Sequence, residues 1–260
     1  MKITHASAYL TALAIATAAQ AAPLVRIFEL NVHPAGQATF TNAGIDNLST
    51  SIRNEPGTLA MYAAQRKDRP SEHIVVEIYR DEAAYRMHAD SPQFKRFAEV
   101  AQSALAGRKM WETEPQFLME KPSALYAVNN QRLKINLAEI TVKPEHNAAF
   151  RKIVMDEMRQ SMAQESRVLA MYAVTLKNAP NEWRFFEIYA DENAYLAHRQ
   201  TPHFQGYLKA TAEMASAKKV IELQGGTLVN QGGLMINLCT TTKISLFAPQ
   251  KPKILSTTAI

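Results

Sequence analysis

A single cysteine, Cys239, stands in a chain of 260 residues. No internal disulfide can form, and stability must come from packing. There is no glycine-rich phosphate loop, no G-x-S-x-G, no paired C-x-x-C and no H-E-x-x-H. Those absences set aside the commonest nucleotide-binding, hydrolase and zinc-site signatures, and the position of Cys239 near the C-terminus argues against a thiol nucleophile. The net charge of +5 is small and its lysines and arginines are scattered, so nucleic acid is not expected as a partner. The apolar run Ala8 to Ala19 is about a dozen residues, where a membrane span needs about 20.

That run instead resembles an export signal. Lys2 forms a short positive start, the Ala/Leu-rich stretch follows, and Ala19-Gln20-Ala21 fits the small-x-small rule for cleavage before Ala22. The expectation is a periplasmic or secreted mature protein with no membrane span.

What the chain does contain is a repeat. Leu59-Ala60-Met61-Tyr62-Ala63 returns 110 residues later as Leu169-Ala170-Met171-Tyr172-Ala173, and Glu77-Ile78-Tyr79 as Glu187-Ile188-Tyr189. Without gaps, 26 of the 75 positions from Arg26 to Val100 are identical to their counterparts. The matched residues are too varied for compositional bias, so the chain is a duplication.

Each copy reads as β-α-β-β-α-β, the split-βαβ or ferredoxin-like order. Val25 to Val32 alternates as a strand, and Phe150, Val154, Met158 and Met162 mark one stripe of a helix. Leu59 to Ala64, His73 to Tyr79 and Lys109 to Leu118 are further strands. Asp81 is a predicted N-cap, and Ser91-Pro92 opens another helix. Such a unit leaves one sheet face bare, and a second identical unit can cover it. The expected fold is α+β: two tandem ferredoxin-like modules packing their sheets face to face as an intramolecular barrel. The expected divisions are signal 1–21, first module 22–120, linker 121–131, second module 132–227 and tail 228–260. The tail is expected to be a poorly ordered extension or an arm docking on a neighbour.

Residues retained by both copies are the candidates for chemistry. Glu77 ends a strand and His88 lies two helical turns beyond Asp81, so a carboxylate and an imidazole approach each other; Glu187 and His198 repeat this. Such a pair can act as general acid or base, or can close a helix onto a sheet. Glu29 and Glu139 repeat within a strand, as semi-buried acids or as exposed rim residues. Tyr62 and Tyr172 are either core aromatics or site groups. Trp111 becomes Ile221 and His73 becomes Trp183, so the two sites are unequal. Two matched histidines do not make a metal site. His33, His146 and His203 have no counterpart and read as surface residues.

The run Glu-Ile-Tyr-x-Asp-Glu-x-Ala-Tyr-x-x-His-x-x-x-Pro-x-Phe, from Glu77 to Phe94 and again from Glu187 to Phe204, resembles the hallmark of antibiotic biosynthesis monooxygenase (ABM) domains, especially quinol-monooxygenase-like members. The resemblance spans both modules. It implies a dimeric α+β barrel and cofactor-independent oxygenation of a phenolic or quinol substrate, with neither metal nor cofactor. His88, His198, Glu77 and Glu187 would then be catalytic. Tyr62, Tyr172, Trp111, Glu29 and Glu139 would contact the small-molecule substrate. The assembly would be a monomeric pseudo-dimer or a further homo-oligomer. Rival readings are a non-catalytic periplasmic binding or stress-response protein, and an isomerase using the same Glu/His pair.

Overall fold

The computed structural model describes residues 22–237. The expected export signal at 1–21, Cys239 and the tail beyond residue 237 lie outside the described residues. Module 1 comprises β1 (Leu24–Val32), α1 (Gln37–Asn54), β2 (Thr58–Arg66), β3 (Glu72–Tyr79), α2 (Glu82–Ala89), α3 (Pro92–Ala104) and β4 (Leu105–Glu120). A short β5 (Tyr126–Val128) lies within the linker. Module 2 repeats the order as β6 (Lys134–Val142), α4 (Asn147–Gln164), β7 (Val168–Leu176), β8 (Ala179–Tyr189), α5 (Glu192–Arg199), α6 (Pro202–Ala210) and β9 (Ala215–Asn230), and β10 (Met235–Asn237) follows. Among the described residues no helix is long and apolar enough to cross a membrane.

The local signals act as the sequence predicts. Asp81 and Asp191 accept hydrogen bonds from the backbone N–H groups of Ala84 and Ala194 and so cap α2 and α5. Ser91 and Thr201 cap α3 and α6, each with proline in the first turn. Phe150, Val154, Met158 and Met162 form the buried stripe of α4.

The strands close into an eight-stranded antiparallel barrel in the order β1-β3-β2-β9-β6-β8-β7-β4, with β4 returning to β1. Closure depends on two strands longer than the repeat predicts. The first half of β4 pairs with β1 of its own module, and the second half, from Thr113 to Glu120, pairs with β7 of the other. β9 likewise pairs first with β6 and then, from Leu223 to Asn230, with β2. The two sheets therefore do not merely face each other; they are one sheet, because each module lends half a strand to its sister. β9 runs past the expected end of module 2, and β10 adds to β4. β5 adds to β9, so the linker also carries structure.

Alternate residues on the strands separate two kinds of core. Val25, Ile27, Tyr62, Val76, Ile78 and their module 2 counterparts fill the barrel. Met61, Val75 and Tyr79, and in module 2 Met171, Phe185 and Tyr189, face the helices outside it.

Candidate functional site

Glu55 ends α1 as its C-cap residue, and His88 lies in the last turn of α2. The two are 33 residues apart in sequence, yet His88 Nδ1 is 3.0 Å from Glu55 Oε2. Thr58 donates to the same oxygen at 2.6 Å and Gln93 to Oε1 at 2.6 Å. Burial pushes the Glu55 carboxyl up, but the hydrogen bonds from His88 and Thr58 outweigh it and hold the pKa below the ordinary carboxylate value. An ionised carboxylate only accepts, so His88 Nδ1 must carry the proton that faces it. In the neutral ring Nε2 then holds a lone pair. That atom is fully buried and has no partner among the described residues. Tyr79 and Phe94 hold the ring, with centroids 5.5 and 4.9 Å away.

Module 2 repeats this diad. His198 Nδ1 lies 3.0 Å from Glu165 Oε1, which also meets His203 Nε2 at 2.7 Å. His203 occupies the place of Gln93. It is largely buried and bonded to Glu165, so the expectation of a surface residue is corrected. Glu157 occupies the place of Asn47. It accepts from Ser161 at 2.6 Å, and its Oε1 lies 3.9 Å from His198 Nε2. Burial raises the Glu157 pKa to about 8. In module 1 the Asn47 amide has neither its nitrogen nor its oxygen paired.

Glu77, buried, and Glu187, half-buried, lie in the same compartments as the histidines, but each accepts from a tyrosine instead, Tyr79 and Tyr189, at 2.9 Å. Burial raises both carboxyl pKa values, and the neighbouring histidines oppose the rise. The hydrogen-bonded carboxylates of the diads are thus Glu55 and Glu165. Both stand at matched places in the repeat, a signal that could have found them. Their contact with histidines so far along the chain is a product of the fold.

The remaining sequence candidates lie across the sheet. Tyr62 and Tyr172 meet inside the barrel, hydroxyl to hydroxyl at 2.6 Å. Asn230 donates to Tyr62 at 2.8 Å, and Tyr172 donates to Glu120 at 2.5 Å. The Tyr172 proton is used toward Glu120, so Tyr62 is the donor between the tyrosines. Glu120 and Asn230 are themselves repeat counterparts, so a chain of hydrogen bonds runs one way across the pseudo-two-fold axis. Burial raises the Glu120 pKa to about 7, against the hydrogen bond from Tyr172. Trp111 also faces the barrel, with Arg184 5.6 Å from its ring. Glu139 pairs with Arg184 and Lys219, each at 3.6 Å. Glu29 lies beyond Val25 and Ile27 on the same face of β1, among the charges near Arg66. Tyr62, Tyr172 and Trp111 therefore do not share a compartment with His88 and His198, because they point to the opposite face of the sheet. A surface cleft of about 160 Å³ is lined by Lys67, Arg132, Lys134, Glu192 and Glu222, and none of the candidate residues of either set lines it.

Residues 23–100 and 135–210 match the model of the family described as antibiotic biosynthesis monooxygenase. A provisionally assigned monooxygenase from Lactobacillus acidophilus NCFM is similar at 26% identity and a TM-score of 0.78, over 83% of this chain and 99% of that one. A second such protein, from Fusobacterium nucleatum, has 27% identity and a TM-score of 0.76, over 83% and 97%. No match was found among curated proteins. With the family pattern present twice and each copy folded as one half of a closed barrel, the chain belongs to the antibiotic biosynthesis monooxygenase family.

Proposed function

We propose that this chain is an exported, cofactor-independent monooxygenase of a quinol-like or phenolic small molecule, with His88 as general base. The observation that carries the reading is the Glu55–His88 diad. Nδ1 is fixed by an ionised carboxylate and Nε2 is left unpaired, which is the arrangement by which a carboxylate orients an imidazole for proton abstraction. Removing the phenolic proton gives an electron-rich phenolate that can itself reduce dioxygen. The unpaired Asn47 amide is a second polar group in module 1 available to a substrate oxygen. Family membership supports the reaction class, and the Ala19-Gln20-Ala21 cleavage pattern supports export. Because His88 is fully buried, this reading requires the packing over it to open for substrate.

The same burial favours a second reading. The diads would be ties that fasten α1 to the α2–α3 pair in a non-catalytic binding protein. Oxygen uptake with a panel of quinols separates the two. The monooxygenase reading expects uptake by the native chain and a fall of about 10²-fold or more in His88→Asn, as for loss of a general base. Glu55→Gln should fall less and shift the pH profile. No uptake by the native chain overturns it in favour of the tie, and unchanged uptake in a folded His88→Asn overturns the role of His88 as base.

A further inference from the structure

We propose that module 2 carries a binding site for a divalent first-row transition-metal ion, with Glu157, His198 and His203 as its ligands. One donor atom from each lies within 4.8 Å of the others. His198 Nε2 is fully buried, unpaired, and 3.9 Å from Glu157 Oε1. Donor atoms around such an ion are about 3.3 Å apart when each bond is about 2.0–2.2 Å, so a small closing movement suffices.

Two further features point to the same place. Glu165 accepts from one nitrogen of each imidazole, at 3.0 and 2.7 Å. For His198 that contact holds the proton on Nδ1, away from the Nε2 that faces Glu157, the role a carboxylate takes behind a metal-bound histidine. The sister site in module 1 supplies the contrast. The histidine and the carboxylate behind it are retained as His88 and Glu55, but the two other positions are the neutral amides Asn47 and Gln93. Both changes in module 2 replace an amide with a group that ligates metals, and both flank the retained histidine. Two imidazoles and one carboxylate suit zinc, iron(II) or cobalt(II), with a position left for water. His203 is the least buried of the three and gives the ion its approach.

The test is metal binding, so its failure leaves the proposed oxygenation standing. The full chain, without an affinity tag and stripped with a chelator, is titrated with Co²⁺ while its visible absorption is followed, and then competed with Zn²⁺. One Co²⁺ per chain is expected, displaced by one Zn²⁺. The double variant Glu157→Asn/His203→Gln copies the residues of module 1 and should fold. It is expected to bind at least tenfold more weakly, and Glu165→Gln about tenfold more weakly. Circular dichroism checks the fold; if the double variant is unfolded, His203→Gln alone decides, with the same loss expected. No one-to-one binding by the native chain, or affinity retained within twofold in the folded variant, overturns the site.

Discussion

At the centre of the barrel, four side chains share three hydrogen bonds, and the asymmetry of the set comes from one residue. Glu120 accepts where its counterpart Asn230 donates. The Glu120 pKa is about 7 in the folded chain and 4.5 ordinarily. Between those values the folded state keeps a proton that the unfolded state has lost, so stability falls as pH rises through that window and the loss is complete above it. From pH 5 to pH 8 the group should cost about 2–3 kcal/mol. Glu120→Gln keeps an acceptor for Tyr172 and should lose correspondingly less; urea midpoints of both proteins at the two pH values measure the difference. An equal change in both would refute the assignment. The tyrosines at this site were legible as repeated residues, but their meeting across the axis was not. The same holds for Glu55 and His88: identity is written in the repeat, while their approach requires α1 to end beside α2.

The elements that close the barrel are β4 and β9, and each must bend to serve two modules. β9 does so at Gly225-Gly226, where both residues have positive φ, 58° and 86°. The register slips at the corresponding point of the pairing with β2. β4 slips at the matching place, between Pro115 and Phe117, by a different sequence. The two glycines differ in what a side chain would meet. A Cβ on Gly226 would lie 1.9 Å from the carbonyl oxygen of Ala63, a backbone atom with no freedom to withdraw. On Gly225 it would lie 3.1 Å from the flexible side chain of Gln131. Gly225→Ala should therefore cost about 1 kcal/mol, the penalty of a left-handed alanine. Gly226→Ala should cost at least about 3 kcal/mol, because backbone overlap adds to the same strain. Chemical denaturation of the two variants orders them; equal losses would show that the bend relaxes. A bulge and a loop share the same residues, so Gly225-Gly226 does not by itself mark the bend in the sequence.

For the whole molecule, exchange of half-strands means that neither module has a complete set of partners. The fragment 22–131 retains β2 without β9 and the second half of β4 without β7, so two edges and the Tyr62 face of its sheet are exposed. It should form a homodimer through those edges, since a copy of itself offers the same strands, and should have no stable folded monomer. Analytical ultracentrifugation across a concentration series tests this; a folded monomer would show that the modules are independent. The sequence by itself determined the duplication, the β-α-β-β-α-β order, the helix caps, and which residues both copies kept, because those depend on neighbours a few residues apart or on direct comparison of the copies. Only the tertiary structure decided that the two sheets are one. It also decided that Glu55 and Glu165 hold the histidines, and that the tyrosines lie across the sheet from them. Those outcomes depend on strand register and on which face of the sheet each helix covers, and these are fixed when the barrel closes.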